Sequence, residues 1–247
     1  MKVIVLAGGI GKRYNIGQDE TDNIPKCLVC IESKHTILDS NLKTLLKFKE
    51  VEEVLIVTGF KHNLIEDHLR LFYTGNNIIK TIYNPKYQDS IIYSVKKGFK
   101  KINNTSSVLL LNGDTYFKSD IFKKAADISV KERDTITLFG HLTNEYYNDD
   151  MLTNVIGRKM LNVGKDLREA NGVSSGAILM CYRGLQKYLN TINLEPINRL
   201  KKTHHGILQF ISDSGFDIDF VDLGGRKWFE VDEQADLDRV RKYFAIN

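Results

Sequence analysis

An apolar run that leads directly into a glycine-rich loop opens this chain, and no other feature constrains its fold as strongly. Residues 2–6 (KVIVL) predict a buried strand, and residues 7–13 (AGGIGKR) follow it at once. Glycine lets bare backbone N–H groups approach a ligand, and a concave set of such groups suits a phosphate. Arg13 and Lys26 add positive charge where a polyphosphate would lie. We therefore predict a phosphate-binding loop after the first strand.

Two common phosphate-binding loops do not match these residues. A P-loop ends in Gly-Lys-Ser or Gly-Lys-Thr, whereas the lysine that follows Gly11 precedes Arg13. A dinucleotide-binding loop needs a third glycine, which residues 12–14 do not supply. The polar residues 14–23 predict a loop rather than a helix that starts on a pyrophosphate. A tight turn after an edge strand is the structural alternative, but the arginine and the later Pro-Lys pair favour phosphate binding.

The composition fits one α/β domain with a sizeable core. The chain has 247 residues, 42% of them hydrophobic. A net charge of +4 suits an anionic substrate but is too small to indicate nucleic-acid binding. No stretch has the apolar length of a membrane span and no signal peptide precedes the first strand, so we expect a cytoplasmic protein without membrane insertion. Cys27 and Cys30 have no second pair nearby, so a zinc site is not expected.

The first half of the chain alternates strand and helix. Further strands are predicted at residues 54–57, 78–83 and 108–111, and helices at residues 36–49, 63–72 and 91–99. This order predicts an α/β fold with a mostly parallel central sheet and helices on both faces. The second half is less regular. It predicts an irregular stretch between strands at residues 134–139 and 175–180, followed by helices at residues 207–214 and 234–244.

Two aspartates in the predicted fold are candidate metal ligands. An open parallel sheet binds its ligands beyond the carboxyl ends of the strands. Asp114 comes directly after the strand at residues 108–111, and Gly113 lets the backbone turn there. Asp232 precedes the last predicted helix and would supply a second carboxylate. Carboxylate oxygens beside a polyphosphate suit Mg²⁺, so we predict a magnesium site, with turn and helix-cap aspartates as the alternative.

These motifs, taken in order, resemble the nucleotidyltransferases that activate sugar phosphates and small alcohol phosphates. The resemblance spans nearly the whole chain and rests on residues 6–13, 25–26, 112–114 and 230–232. It implies a GT-A-like, Rossmann-like α/β fold and a reaction in which an NTP and a phosphorylated substrate release pyrophosphate. A single domain, residues 1–247, would then comprise a nucleotide-binding half, residues 1–122, and an acceptor-binding and metal-completing half, residues 123–247.

By this resemblance, charged residues of both halves act on the phosphates. Arg13 and Lys26 would hold the phosphates of the nucleotide, and with Lys165 they form the implied catalytic set. Asp114 and Asp232 would hold Mg²⁺. The other implied nucleotide contacts are Leu6, Ala7, Gly8, Gly9, Gly11, Gln88, Ser90, Ser94 and Asn112. Residues 88–94 are a candidate base pocket, and an ordinary helix cap is their alternative interpretation.

Within the superfamily the chain most resembles the phosphocholine-type cytidylyltransferases. The resemblance lies in residues 84–94, 172–174 and 228–232. It implies CTP as the nucleotide and an acceptor contacted by Tyr146, Ser174 and Trp228. Tyr146, Tyr147 and Trp228 would form a cation–π cage around a quaternary ammonium. Lys165 instead resembles a lysine of the inositol-phosphate cytidylyltransferases, so an inositol phosphate or a sugar 1-phosphate is the alternative acceptor.

Functions of two other classes stay open. A glycosyltransferase of similar fold needs an Asp-x-Asp motif after a mid-chain strand, but residues 217–219 and 236–238 carry this spacing late in the chain. A non-catalytic nucleotide sensor would retain the fold without the charged residues, which are all present here. Homodimerisation also stays open.

The pair His204-His205 has no third ligand at a suitable spacing for a metal, so it predicts a helix cap or a surface turn.

Overall fold

Strands and helices alternate along the computed structural model, which describes residues 1–17, 23–32, 35–102, 107–131, 134–200 and 202–246. The helices are α1 (Ile37–Leu45), α2 (His62–Phe72), α3 (Ile91–Lys101), α4 (Ser119–Lys131), α5 (Tyr182–Leu194), α6 (His204–Asp213) and α7 (Gln234–Ile246). The strands are β1 (Lys2–Ala7), β2 (Cys30–Glu32), β3 (His35–Thr36), β4 (Glu53–Thr58), β5 (Ile79–Tyr83), β6 (Ser107–Asn112), β7 (Thr115–Phe117), β8 (Ile136–Leu142), β9 (Leu152–Ile156), β10 (Lys159–Gly164), β11 (Gly172–Cys181), β12 (Ile218–Asp222) and β13 (Trp228–Glu230).

Nine of these strands form one sheet in the order β5-β4-β1-β6-β11-β8-β12-β10-β9. The first four strands in this order are mutually parallel. β11 then runs antiparallel to both β6 and β8, so the sheet is parallel in its first half and mixed beyond it. Short pairs, β13 with β7 and β2 with β3, lie outside this sheet. The α/β fold class predicted from the sequence is confirmed.

Helices cover both faces of the sheet because the central strands are apolar on both sides. In β1, Val3 and Val5 pack in one cluster with residues of α1, α2 and α4. Ile4 and Leu6 pack in a second cluster with residues of α3, α5 and α6. Such alternation in a continuously apolar strand is typical of a strand that is buried on both faces. The carboxyl end of β1 therefore emerges from the middle of the molecule.

The strands and helices predicted in the first half are present, and the main differences lie elsewhere. Residues 27–31 have a strand-like sequence, but residues 26–28 form a 3-10 turn and only the end of the run enters β2. Pro25, with φ −56°, starts this turn because its ring holds φ near the helical value. The stretch predicted as irregular contains the hairpin β9–β10. Of the predicted loop at residues 14–23, residues 14–17 form turns and residues 18–22 lie outside the described residues.

Among the described residues, no helix combines the length and the apolar composition that crossing a bilayer requires.

Asp39 joins α1 to α2 through a buried network. At the start of α1, Asp39 Oδ2 accepts from the Thr36 backbone N–H at 3.0 Å, and Thr36 Oγ1 accepts from the Asp39 N–H at 3.0 Å. His68 Nε2 lies 2.8 Å from Asp39 Oδ1, and the Tyr73 hydroxyl donates to the same oxygen at 2.9 Å. Burial raises the pKa of the Asp39 carboxyl, but the hydrogen bonds from His68 and Thr36 outweigh burial and hold the pKa well below its usual range.

The variant Asp39→Asn tests this network. At pH 7 we expect it to lower the free energy of unfolding by about 1–3 kcal/mol, since the ionised carboxylate is the form that its partners stabilise. A depressed pKa in the folded state contributes stability above the unfolded-state value of about 3.9. The difference between wild type and variant should therefore shrink as pH falls below about 4. Urea unfolding at pH 7, 4 and 3 measures it, with the exposed Asp67→Asn as the control. A difference that stays constant over this range would contradict the interpretation.

Candidate active site

A cleft of about 670 Å³ opens at the carboxyl ends of β1 and β6. This is where the topology of an open parallel sheet directs a ligand. Most residues predicted to bind nucleotide, metal or acceptor line the cleft, namely Leu6, Ala7, Gly8, Gly9, Lys26, Ser94, Asn112, Asp114, Lys165, Ser174, Trp228 and Asp232. Contacts with the carboxylates of this cleft also place Arg13 at its edge.

The glycine loop follows β1 and forms one wall of the cleft. Gly9 lines the cleft, and a side chain there would meet no atom within 4 Å, so its backbone is open to a ligand. Gly11 has φ +67°, and a Cβ would lie 2.7 Å from Cγ of Lys26. Any side chain at Gly11 would thus strain the backbone and displace the lysine. Gly11 therefore shapes the loop and positions Lys26, although it is not itself part of the cleft wall.

Three carboxylates converge at the base of the cleft. Oxygen atoms of Asp114, Glu230 and Asp232 all lie within 4.8 Å of one another. β13 pairs with β7 so that Glu230 lies opposite Thr115, and the Val231 N–H donates to the Asp114 carbonyl oxygen at 3.0 Å. The two predicted aspartates are therefore brought together as expected. Glu230, which the sequence analysis did not propose as a ligand, joins them because it is two residues before Asp232 on an extended segment.

Two cations hold this acidic cluster together. Lys26 Nζ lies 2.5 Å from Asp114 Oδ2 and 2.6 Å from Asp232 Oδ1. Arg13 bridges Asp232 Oδ2 and Asp149 Oδ2, at 2.5 Å each. Burial alone would lower the pKa of Lys26, but the charges of Asp114 and Asp232 outweigh it and raise the pKa above its usual range.

Glu230 is the carboxylate whose charge is most disfavoured. Desolvation of the carboxyl group first, and then the charges of Asp114 and Asp232, raise the pKa of Glu230 above its usual range, although the residue as a whole is exposed. A divalent cation would reverse this effect, because it favours the ionised form of every carboxylate around it. Three carboxylates at this spacing supply the oxygen ligands that Mg²⁺ prefers, so the residues present fit such an ion.

Besides Arg13 and Gly11, three of the predicted site residues are not among those that line the cleft. The Ser90 hydroxyl accepts from the Ile92 N–H at 3.2 Å, so this residue caps α3, as the alternative interpretation had it. Gln88 is exposed and donates to the Tyr87 hydroxyl. The Tyr146 hydroxyl donates to the Ala170 carbonyl oxygen at 2.6 Å. Of the candidate base pocket, Ser94 remains in the cleft wall, where it accepts from the Asn84 amide at 2.9 Å.

An arginine already contacts two of the three aromatic rings that were expected to form a cation–π cage. The Arg226 guanidinium lies 4.3 Å from the ring centroid of Tyr147 and 5.9 Å from that of Trp228. It also forms a two-point ion pair with Asp150, at 2.8 and 2.5 Å. Arg226 and Asp150 line the cleft, and the sequence analysis missed both. Isolated charged residues in loop sequence give no local indication that they will meet.

The pair His204-His205 does not form the expected surface turn. Both residues begin α6, both are buried, and both line the cleft. Thr203 is the residue that caps the helix, through the Gly206 N–H. His205 Nε2 lies 2.8 Å from the Ser174 hydroxyl, which links it to a predicted acceptor residue. Burial lowers the pKa of His204 to about 4, so its imidazole is neutral at pH 7.

A comparison of the sequence with known families identifies the chain. Residues 3–173 match the family described as the MobA-like NTP transferase domain. The chain belongs to this family. The match covers β1, the glycine loop and Asp114, and it ends within β11, before the segment that supplies Glu230 and Asp232.

Several individual proteins resemble this MobA-like chain. The D-glycero-α-D-manno-heptose 1-phosphate guanylyltransferase of Aneurinibacillus thermoaerophilus is 29% identical over 123 residues, which are 50% of each chain. The chain thus spans about half the length of that curated relative. The inositol-1-phosphate CTP transferase from T. maritima superposes with a TM-score of 0.78 at 21% identity, over 99% of this chain and 94% of that one. The CTP:phosphocholine cytidylyltransferase from Streptococcus pneumoniae superposes with a TM-score of 0.75 at 19% identity, over 98% of both chains. These structures establish the fold.

Asp114→Asn tests the carboxylate cluster. We expect turnover, measured as pyrophosphate release, to fall by about a hundredfold or more, since the variant loses an ionised metal ligand. Thermal unfolding should show that the fold survives, and the stabilisation that Mg²⁺ gives to the wild type should be absent. Asp217→Asn is the matched control, because Asp217 pairs with Lys159 outside the cleft. Near-wild-type turnover in a folded Asp114→Asn protein would refute the assignment.

Arg13→Ala tests the glycine loop. Arg13 is partly exposed at the edge of the cleft, so its removal should leave the melting temperature nearly unchanged. We expect kcat/KM to fall by about 10- to 100-fold, because a charge-assisted contact to phosphate is lost. Lys12→Ala is the control, since it removes a neighbouring exposed charge from the same loop. Equal activity of the two variants would mean that Arg13 has no specific role.

Proposed function

We propose that this protein catalyses Mg²⁺-dependent transfer of a nucleotidyl group, a cytidylyl group in our assignment, from an NTP to a small phosphorylated acceptor with release of pyrophosphate. The observation that carries this proposal is the convergence of Asp114, Glu230 and Asp232 with Lys26, beside the glycine loop and at the carboxyl ends of parallel strands. Membership of the NTP transferase family supports it.

The chemistry follows from holding two anions together. A phosphate oxygen of the acceptor attacks the α-phosphorus of the NTP in line, and pyrophosphate leaves. Backbone N–H groups around Gly8 and Gly9 would bind the phosphates. Lys26 would neutralise the charge of the α-phosphate, and Arg13 would stabilise the negative charge of the leaving pyrophosphate. Bound Mg²⁺ would neutralise further charge on the triphosphate. No covalent intermediate on the protein is needed, since catalysis rests on positioning and charge stabilisation.

CTP is the nucleotide that we propose. Support comes from the resemblance of residues 84–94 to cytidylyltransferases and from the position of Ser94 in the cleft wall. The names of two structurally similar proteins include CTP, whereas the relative from Aneurinibacillus thermoaerophilus is named a guanylyltransferase. A guanylyl transfer is therefore the main alternative for the nucleotide.

For the acceptor, we propose a sugar or polyol phosphate in preference to phosphocholine. A choline cage needs open aromatic faces, but the Arg226 guanidinium lies against Tyr147 and near Trp228. An arginine in this position would also repel a quaternary ammonium. Lys165 lines the cleft and pairs with Asp149 at 3.3 Å, and it would exchange this contact for one with phosphate. Residues 172–174 and 228–232, which resemble phosphocholine enzymes, keep phosphocholine as the alternative.

A glycosyltransferase reaction has less support. Its Asp-x-Asp motif would have to meet the cleft, but Asp217 pairs with Lys159 and does not line it. Asp236, of the second such motif, does line the cleft, but its Oδ2 accepts from the backbone N–H groups of Asp232 and Glu233, so this carboxylate caps the segment that leads into α7.

Pyrophosphate release over a matrix of four NTPs and a panel of phosphates tests the proposal. The acceptors are inositol 1-phosphate, glucose 1-phosphate, mannose 1-phosphate, glycerol 3-phosphate, phosphocholine and phosphoethanolamine. We expect CTP with a hydroxylated acceptor to give the highest kcat/KM. The acceptor preference follows because the Arg226 guanidinium already lies against the Tyr147 ring, which a choline group would need. Preference for GTP, UTP or dTTP would refute the cytidylyl assignment alone. If no pair of NTP and acceptor releases pyrophosphate, nucleotidyl transfer to these acceptors is refuted.

A further inference from the structure

His204 is a buried polar side chain whose ring lies 4.2 Å from the ring of His205, between centroids, but which makes no hydrogen bond within the described part of the chain. It is 5% exposed, and neither Nδ1 nor Nε2 has a hydrogen-bond partner among the described residues. The same side chain lines the cleft, at the first position of α6. Its neighbour His205 differs, because its Nε2 is engaged with the Ser174 hydroxyl at 2.8 Å.

An imidazole in this state is costly for the fold. A buried polar group that lacks a partner destabilises the folded protein by about 1–3 kcal/mol, and most buried polar atoms in proteins are satisfied. An apolar residue of similar size would remove that penalty. A ligand that hydrogen-bonds these two nitrogens would remove the penalty, and this would explain why a histidine stands at this position of the cleft wall.

The chemistry of the ring narrows the class of ligand. A neutral imidazole has one N–H donor and one acceptor nitrogen, and a hydroxyl group likewise both donates and accepts. A quaternary ammonium can do neither. Phosphate oxygens have stronger partners in this cleft, since Lys26, Lys165 and Arg226 all line it. Hydroxyl groups are the partners that remain, and the contact of the neighbouring His205 with Ser174, a predicted acceptor residue, favours those of the acceptor over those of the nucleotide.

Ser174, the predicted acceptor contact beside these histidines, is less free to serve. Its hydroxyl faces His205 Nε2 and also accepts from the Gly176 N–H at 3.0 Å. Gly176 has φ +77°, at the irregularity of β11 where its register against β8 shifts. Ser174 and His205 therefore support each other, and His204 is the member of this group whose ring nitrogens make no hydrogen bond with the described residues.

We propose that His204 hydrogen-bonds a hydroxyl group of the acceptor and thereby selects sugar or polyol phosphates over phosphocholine. This inference rests on the proposed nucleotidyl transfer and identifies the residue that recognises the class of acceptor. His204 is a specificity-determining residue in this assignment and takes no part in the bonds that form or break.

The test compares His204→Leu, His204→Gln and the wild type in steady-state pyrophosphate release with CTP, or with whichever NTP the wild type prefers. For the best hydroxylated acceptor, we expect His204→Leu to raise the acceptor KM about 10-fold and to change the NTP KM less than 2-fold, as loss of one hydrogen bond predicts. His204→Gln retains a donor and an acceptor and should recover most of the loss. His204→Ala replaces His204→Leu if the leucine variant does not fold.

Tyr188→Phe is the matched control. The Tyr188 hydroxyl is also buried without a partner among the described residues, but Tyr188 packs against Phe99 and does not line the cleft. Both Tyr188→Phe and His204→Leu should raise or preserve the melting temperature, since each removes an unsatisfied polar group. Only His204→Leu should change the acceptor KM.

The remaining outcomes separate this inference from the proposed function. If the wild type is active but His204→Leu keeps its acceptor KM, or if both KM values rise equally, recognition by His204 is refuted while nucleotidyl transfer stands. A wild type that prefers phosphocholine or phosphoethanolamine also refutes it. If no NTP and acceptor pair releases pyrophosphate, the proposed function fails, and the inference fails with it.

Discussion

The pairing of β13 with β7 is the contact on which the candidate site depends. β7 begins directly after Asp114, and β13 carries Glu230, so their antiparallel pairing brings two distant parts of the chain to one point. Asn41 secures β7 from the side of α1. Its amide donates to the Thr115 carbonyl oxygen at 2.7 Å and accepts from the Phe117 N–H at 3.0 Å. Because Asn41 is buried, these bonds are shielded from water, and the position of β7 is well defined.

The negative charges of the converging carboxylates repel one another, and neighbouring cations reduce this repulsion. Asp114, Glu230 and Asp232 repel one another at these distances, and this repulsion adds to desolvation of the carboxyl group in raising the pKa of Glu230. Lys26 and Arg13 offset the repulsion through direct contacts. The same residues are the proposed phosphate ligands. The carboxylates of such a site are already partly neutralised, and the site can exchange internal ion pairs for a metal and a polyphosphate.

Much of the first half could be predicted because its local and global signals agree. β1 and β6 are apolar on both faces, which indicates central parallel strands, and Asp114 follows β6 where such a sheet binds ligands. The fold of the second half was less predictable from the sequence. β11 is buried at every position, and a continuous apolar run looks the same whether the strand is parallel or antiparallel to its neighbours. Its orientation depends on long-range packing.

The histidines of α6 show the same limit at the level of the site. A His-His pair ahead of the apolar residues Ile207 and Leu208 has the same local pattern whether the helix begins at the surface or inside a cleft. Gln209 decides between these arrangements, because its side chain accepts from the Val163 N–H at 2.7 Å and donates to Asn162 Oδ1 at 3.2 Å. These bonds attach α6 to β10. Because the helix is held there, its first turn lies in the cleft, and the imidazole of His204 forms part of the cleft wall.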